Sequence, residues 1–229
     1  MRNPNLLIYG FGGLGMEVLC YILSGARCHG KGCKRYGFNV VGIIDEEGVR
    51  LPELREILGN QVSHFRSIEE LDSNNYSFVV AIGNPIARHR CFQSALSAGL
   101  KPETIVHPTA IVDPSASIGE GSIFGPFSLV APCVLTGKNT VVNNYSSLGH
   151  DSVLGMSSVL SPYATLNGGA RCGANSFLGT RATIIPGKAL GDYSKLSAGS
   201  VLCDDTADGS LAIGNPAKHR VLFSNPCQE

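Results

Sequence analysis

The chain has 229 residues, of which 43% are hydrophobic and 16% charged, so it is long and apolar enough to form globular domains with a sizeable core. Its 18 basic residues balance 18 acidic ones, which argues against nucleic acid or an anionic membrane as a partner. Glycine is unusually frequent at 28 residues and Trp is absent, which indicates many tight turns around small side chains.

The N-terminal apolar stretch, residues 6–23, predicts a strand, a glycine-rich turn and a helix. The helix is expected to bury Met16, Leu19, Cys20 and Leu23 on one face. Glycines and a glutamate interrupt the stretch, so we expect neither a signal peptide nor a membrane span. The glycines of the turn are Gly10, Gly12, Gly13 and Gly15.

Two further strands are expected in this part of the chain. Residues 38–44 predict a strand that ends in Asp45 and Glu46, and residues 78–82 predict another that precedes Asn84 and a second helix. A strand, a glycine turn and a helix open a Rossmann-like unit, in which backbone N–H groups at the helix N-terminus face an anion. A tight turn that only packs a helix on a sheet is the alternative.

The length of this first region limits its function. About one hundred residues suffice for one βαβαβ half of a Rossmann fold, but not for the two halves that hold a whole dinucleotide. A hydride-transfer enzyme is therefore disfavoured, and a nucleotide attached to something smaller fits better.

The cysteines favour a reducing compartment. The eight cysteines are scattered through a chain with no secretory signal, which predicts free thiols and a cytoplasmic location. Cys28 and Cys33 are the one close pair, but a zinc site needs about four ligands. We expect a plain basic loop there and no bound metal.

A six-residue period runs from Val106 to Val201 through sixteen blocks. Fourteen of the sixteen first positions are aliphatic or Phe, and at the fifth position only Lys188 is large. This pattern is typical of a hexapeptide β-helix, a prism with three short strands per coil and about five coils. Eight second positions are glycine, where we expect unusual backbone angles.

Five motifs occur in one order along the chain: the glycine turn, Ala81-Ile-Gly-Asn84, His107-Pro-Thr-Ala, Gly149-His150-Asp151 within the repeat, and Ile213-Gly-Asn-Pro-Ala-Lys218. This order resembles the sugar acyltransferases with a left-handed β-helix, a family that includes sialic acid O-acetyltransferases and the bacillosamine-pathway N-acetyltransferase. The likeness covers nearly the whole chain.

The resemblance implies a Rossmann-like domain over residues 1–104 that binds a nucleotide-linked sugar, and a left-handed parallel β-helix with a C-terminal tail over residues 105–229. It also implies acetyl-CoA as co-substrate, a homotrimer with active sites between neighbouring β-helices, and a role in cell-surface glycan biosynthesis such as that of O-antigen. The nucleotide (UDP, dTDP or GDP) and the sugar stay open.

His150 is the candidate general base. It is the only histidine well inside the repeat, at a third position that points away from the inward stack, and Asp151 follows it. An imidazole accepts protons near neutral pH, and an adjacent carboxylate holds it in one tautomer. From these residues alone a solvated His–Asp pair on a turn is the alternative, and the family's His–Glu/Asp motif favours the base.

The remaining site residues are assigned through the resemblance. The glycine turn would carry the diphosphate, and Asp45, Glu46 and Asn84 would contact the rest of the nucleotide-sugar. Gly168 lies one coil after His150 and would let the thioester approach the backbone. The positions that match acetyl-CoA or substrate contacts are Asn143, Thr180 and Ala198.

Two positions depart from the family. Leu14 stands where some members have a His in the glycine turn, and Val159 stands where some have a second His nine residues after the base. These replacements leave His150 in place. They make the family's sugar-binding and thioester contacts a less direct guide to the contacts in this chain.

The expected reaction is direct attack of a sugar C4 amine on acetyl-CoA, with His150 taking a proton and backbone N–H groups stabilising the oxyanion. No Gly-x-Ser-x-Gly elbow and no cysteine beside His150 points to an acyl-enzyme. Alternatives are O-acetylation of sialic acid or another sugar, and a non-catalytic nucleotide-sugar-binding protein. A β-helix carbonic anhydrase is disfavoured because it needs three histidines around zinc.

Overall fold

The computed structural model describes residues 4–25, 37–46, 51–58, 62–71 and 75–223. Its N-terminal region is a parallel sheet with helices. The strands are β1 (Asn5–Tyr9), β2 (Asn39–Ile44), β3 (Ser63–Phe65), β4 (Ser77–Val80) and β5 (Lys101–Pro102). The helices are α1 (Gly13–Leu23), α2 (Leu51–Leu58) and α3 (Pro85–Ser97), with a 3-10 turn at Ile68–Glu70.

The strand order β3-β2-β1-β4-β5 is that of a Rossmann-like sheet, with the order reversing between β1 and β4. The three strands predicted from the sequence are present. The sequence missed β3 and β5, which have three and two residues and are too short to show an alternation of apolar and polar side chains. The basic loop with Cys28 and Cys33 lies outside the described residues.

Helix α1 buries only part of the predicted face. Leu19 is buried as predicted and Met16 is partly buried, whereas Cys20 is exposed and Leu23 is 55% exposed; Val18 and Ile22 are buried in addition. The prediction was wrong at Cys20 and Leu23 because α1 is packed between two partners, the sheet and the β-helix, and the buried face follows both.

The second region is a parallel β-helix of two-residue strands joined by sharp turns. In chain order they are β6 (Ile105–Val106), β7 (Ile111–Val112), β8 (Ile123–Phe124), β9 (Leu129–Val130), β10 (Leu135–Thr136), β11 (Val141–Val142), β12 (Ser147–Leu148), β13 (Val153–Leu154), β14 (Val159–Leu160), β15 (Thr165–Leu166), β16 (Arg171–Cys172), β17 (Phe177–Leu178), β18 (Thr183–Ile184), β19 (Ala189–Leu190), β20 (Lys195–Leu196) and β21 (Val201–Leu202). The hairpin β22 (Ser210–Gly214) and β23 (Ala217–Val221) follows.

The register confirms three strands per coil. Along each wall, strands of successive coils pair in parallel eighteen residues apart, as in Val141↔Val159 and Ser147↔Thr165. Three walls result: sheet I contains β6, β8, β11, β14, β17 and β20 with the hairpin, sheet II contains β7, β9, β12, β15, β18 and β21, and sheet III contains β10, β13, β16 and β19. First-position side chains such as Phe124, Leu148 and Leu178 are fully buried inside the prism.

The glycines at second positions have a different role from the predicted one. None of them has a positive φ, and the left-handed backbone falls two residues later, at fourth positions such as Tyr145 and Asp151. A Cβ at Gly125 would lie 2.9 Å from the backbone N of Asn144, and one at Gly149 would lie 2.7 Å from that of Gly168. These glycines are therefore needed because the next coil passes too close for a side chain.

Helix α1 packs the N-terminal sheet onto sheet I. Sixth-position side chains point outward from that wall and become buried against Val18, Leu19 and Ile22. The outward-facing residues in this shared core are Ile105, Ile123, Val141 and Val159, each no more than 4% exposed. The two regions therefore share one continuous apolar core.

Arg88 of α3 joins the two regions through backbone carbonyls. It is fully buried; its Nε donates to the Asn139 oxygen at 2.6 Å, and its Nη1 donates to the Val80 oxygen. Longer contacts of 3.4 Å reach the oxygens of Ile82 and Gly121. Burial lowers the pKa of the guanidinium to about 9, so it stays charged at neutral pH.

Candidate active site

His150 lies at the corner between sheets II and III, in the turn after β12. Its Nδ1 is 2.8 Å from Oδ2 of Asp151, and the two side chains are 70% and 66% exposed. Asp151 occupies a left-handed backbone position with φ of 59°, which turns its carboxylate back toward the preceding ring. The Asp151 contact engages Nδ1, so Nε2 is the ring nitrogen that remains for proton exchange.

The next coil supports the imidazole at Gly168. A Cβ at this position would clash with Nε2 of His150 and would lie 2.7 Å from Cε1, so only glycine lets the ring rest against the backbone. The backbone N–H of Gly169 donates to the His150 carbonyl at 2.8 Å. The ring of His150 therefore occupies the space that a side chain at position 168 would take. Gly168 makes room for this ring, in addition to its predicted role of letting the thioester approach the backbone.

The structure places the other predicted acetyl-CoA residues at a different corner. Asn143, Thr180 and Ala198 lie in turns between sheets I and II, Thr180 and Ala198 being exposed. The Oδ1 of Asn143 accepts from the Asn144 N–H at 2.7 Å and from the Tyr21 hydroxyl at 3.3 Å. One chain thus separates these residues from His150 by the width of sheet II.

Tyr21 is a residue of this corner that sequence reasoning missed. Burial, with the neighbouring Glu17 carboxylate, raises the pKa of its phenol, so the hydroxyl stays protonated and donates to Asn143. Its ring also packs edge-on against His107 with a centroid distance of 5.6 Å. Its position within the apolar pattern of α1 gave no signal of this contact.

The predicted nucleotide-binding residues gather at the carboxyl ends of β1, β2 and β4. Gly10 has a φ of 87°, and a Cβ at Gly15 would lie 2.6 Å from the Gly10 oxygen, whereas the Cβ positions of Gly12 and Gly13 face open space. This opening at the start of α1 is what an anion site needs.

Two of the three polar residues at this edge, Asp45 and Asn84, accept hydrogen bonds from backbone N–H groups. The Phe11 N–H donates to Oδ2 of Asp45 at 2.7 Å, so this carboxylate holds the glycine turn. Glu46 is exposed. The side-chain oxygen of Asn84 caps α3 by accepting from the Ile86 and Ala87 N–H groups, each at 3.0 Å.

A groove of about 560 Å3 lies beside the start of α3, and the sequence analysis did not find it. Its wall on the prism comes from the last coils of sheet I. The lining includes Asn84, Ile86, Asn175, Phe177, Tyr193 and Lys195. A signal was present in the repeat, because the outward sixth position of sheet I changes from aliphatic residues to Phe177 and Lys195 in the last two coils of that wall.

The five cysteines within the described residues are free thiols. No group of three or more His, Cys, Asp or Glu side chains in these ranges is arranged to hold a metal ion. Within the same ranges, no helix has the length and apolar character needed to cross a membrane.

Known proteins are similar to this chain in sequence and in fold. Residues 5–95 match the family described as the PglD N-terminal domain, and a search of curated proteins found no match. A variant of perosamine N-acetyltransferase from Caulobacter crescentus, in complex with CoA and GDP-perosamine, is 28% identical with a TM-score of 0.79, covering 94% of this chain and 96% of that one.

Two further solved structures are similar over their whole length. The acetyltransferase domain of PglB from Neisseria gonorrhoeae, in complex with acetyl coenzyme A, is 28% identical with a TM-score of 0.79, covering 95% of this chain and 99% of that one. WeeI from Acinetobacter baumannii shares the fold at 22% identity and a TM-score of 0.76, covering 94% of this chain and 99% of that one.

These comparisons confirm the resemblance, the fold class and the enzyme class that the motifs indicated. The chain has the two-domain fold of the left-handed β-helix sugar N-acetyltransferases, and it is an acyltransferase.

Proposed function

We propose that this enzyme transfers the acetyl group of acetyl-CoA to the C4 amine of a nucleotide-linked 4-amino-4,6-dideoxy sugar, with His150 as general base. The observation that carries the proposal is the exposed His150–Asp151 pair, held at 2.8 Å and backed by Gly168. The bound ligands of the 28%-identical relatives, CoA with GDP-perosamine and acetyl coenzyme A, support the substrate class.

Each group in the pair has a defined chemical task. The amine nitrogen attacks the thioester carbonyl, and Nε2 of His150 takes a proton from that nitrogen as the C–N bond forms. The tetrahedral intermediate then collapses, the C–S bond breaks, and CoA leaves as a thiolate that the imidazolium protonates. Asp151 stabilises the imidazolium between the two transfers, as a carboxylate on Nδ1 does in hydrolytic triads.

We assign nucleotide-sugar binding to residues 1–104 and acetyl transfer to residues 105–229. The open N-terminus of α1 at Gly12 and Gly13 supports a diphosphate there, since helix N-termini attract anions. Asp45 supports the turn through Phe11, and Glu46 is the exposed acid that faces ribose or base.

We further propose a homotrimer in which neighbouring chains complete each active site. One chain keeps His150 apart from Asn143, Thr180 and Ala198, so a second copy must bring the two corners together. An exposed ladder of stacked rings, Phe127, Tyr145 and Tyr163, runs along the corner between sheets I and II and gives a neighbour an apolar surface to cover.

We place the enzyme in the cytoplasm, in cell-surface glycan biosynthesis such as that of O-antigen. The five cysteines of the described ranges are free, which suits a reducing compartment.

A thiol-release assay tests the activity. Purified enzyme and acetyl-CoA are mixed with UDP-, dTDP- and GDP-linked 4-aminosugars and with free sialic acid, beside the His150→Ala variant. We expect turnover of one 4-aminosugar and a loss of about 100-fold or more in kcat in the variant, with an unchanged oligomeric state. Turnover of sialic acid alone refutes N-acetylation, and full activity in the variant refutes His150 as the base.

A further inference from the structure

A column of three residues at the corner between sheets I and II has a gap in its middle. His107, Gly125 and Asn143 follow β6, β8 and β11 directly, so they occupy equivalent turns of successive coils. A Cβ at Gly125 would lie 3.3 Å from the hydroxyl oxygen of Tyr21, a residue of α1 that is 7% exposed. The buried hydroxyl of Tyr21 therefore lies at the gap that the glycine leaves in the column.

His107 gives the ring of Tyr21 a fixed neighbour. The two rings meet edge-on with 5.6 Å between their centres. The Nδ1 atom of His107 accepts from the Thr109 hydroxyl at 2.8 Å and from the Thr109 N–H at 3.2 Å, which holds the imidazole in place. Burial lowers the pKa of His107, so the ring is uncharged at neutral pH and its Nδ1 can accept these bonds. The His107-Pro-Thr-Ala motif thus has a structural part in this corner.

The contacts of Asn143 determine which end of its side chain faces outward. Its Oδ1 accepts from the Asn144 N–H at 2.7 Å and from the Tyr21 hydroxyl at 3.3 Å. A backbone N–H can only donate, so this bond identifies the inner atom of the amide as the oxygen. The Nδ2 atom makes no hydrogen bond to any residue that the structure describes, and it is open to solvent because Asn143 is only half-buried. The NH2 group is therefore the end that a ligand at this corner meets.

We propose that Tyr21 is a positioning residue for acetyl transfer, whose hydroxyl fixes the Asn143 carboxamide with its NH2 end toward bound acetyl-CoA. An NH2 group only donates, and the acyl-pantetheine arm of acetyl-CoA offers carbonyl oxygens that accept. The family resemblance implies a contact between Asn143 and acetyl-CoA, whereas the part of Tyr21 follows from the geometry of this corner. This inference rests on the proposed function, because it requires acetyl-CoA at the corner between sheets I and II.

A double-mutant cycle between Tyr21→Phe and Asn143→Ala tests this role. Tyr21→Phe keeps the ring against His107 and removes only the hydroxyl. Glu17→Ala is the matched control on the same helix, because Oε2 of the exposed Glu17 is the other acceptor near that hydroxyl, at 3.4 Å. Each variant is assayed by thiol release with the panel sugar that the native enzyme acetylates, and kcat/KM for acetyl-CoA is measured at saturating sugar.

We expect kcat/KM for acetyl-CoA to fall about tenfold in Asn143→Ala but only about threefold in Tyr21→Phe, because 3.3 Å is long for a hydrogen bond. In the Asn143→Ala background, Tyr21→Phe should change kcat/KM by less than about 1.5-fold, and Glu17→Ala alone should leave it native.

The same threefold loss in both backgrounds overturns the proposal, because a purely structural role of Tyr21 does not depend on Asn143. Native kcat/KM in Tyr21→Phe also overturns it, and so does an equal loss in Glu17→Ala, which would show that the hydroxyl acts through Glu17. These results leave the proposed function intact. No turnover of any panel sugar by the native enzyme overturns the proposed function and the role of Tyr21 with it.

Discussion

Replacing Arg88 by Met should weaken the joint between the two regions. The guanidinium makes one bond of 2.6 Å to the Asn139 oxygen in the prism and one to the Val80 oxygen in the N-terminal sheet, with two weaker contacts of 3.4 Å. Methionine fills much of the space and donates to none of these oxygens. Two well-bonded buried carbonyls then lose their partner, at roughly 1–3 kcal/mol each.

Removing the buried charge offsets part of this loss of stability, because burying the guanidinium carries a desolvation cost in the native protein. We therefore expect a net loss of about 3 kcal/mol. For a chain of this size that corresponds to a fall of roughly 6–12 °C in the midpoint of thermal unfolding.

The assay is thermal unfolding followed by circular dichroism, with Arg90→Met as the control because Arg90 is exposed on the same helix. Arg88→Lys keeps the charge but not the forked geometry, so its midpoint should fall between native and Arg88→Met. A midpoint for Arg88→Met within about 2 °C of Arg90→Met would refute the argument that these carbonyl bonds join the two regions.

Three further results are expected. Asp151→Asn should lower kcat by about tenfold to 100-fold with little change in KM, measured by thiol release, because the ring loses its charged partner; native kcat would exclude this role. Gly168→Ala should lower kcat by up to about 100-fold without loss of fold, since its Cβ displaces the His150 ring; a native rate would show that the ring is not held there. In denaturant unfolding, Gly125→Ala should lower the free energy of unfolding by about 1–3 kcal/mol, because its Cβ clashes with the next coil. Gly187→Asn, at φ of 71° with open space around it, should change that free energy by no more than about 0.5 kcal/mol. The reverse order would contradict the assignment of glycine roles.

The prism was predictable because its repeat is local. A bulky residue at every sixth position requires one inward side chain per wall, and the observed register of eighteen residues follows from three walls. The role of the second-position glycines was not predictable in the same way. Their constraint comes from the backbone of the next coil, as at Gly149, where the nearest atom belongs to Gly168 nineteen residues later, and a sequence window contains no such contact.

The site was predictable only in part for the same reason. His150 and Asp151 are adjacent in the chain, so their pairing could be expected from the sequence. The groove joins α3 to coils almost one hundred residues later, and its residues Asn175 and Lys195 belong to no recognisable motif. The predicted burial of α1 was wrong at Cys20 and Leu23, because the burial of this helix depends on a wall of the prism that helical periodicity does not describe.

Each coil of the prism has the same rise, so the number of coils between two residues sets their separation along the axis of the prism. The N-terminal domain is fixed to the wall between Ile105 and Val159, and His150 lies on the third coil of that span. An insertion of eighteen residues below His150 would keep the register of the prism, yet it would add a coil to the wall that the N-terminal region covers and would move the imidazole by about 4.8 Å relative to the glycine turn. Proton transfer needs heavy atoms within about 3 Å, so the proposed role of His150 as general base fixes the number of coils below it.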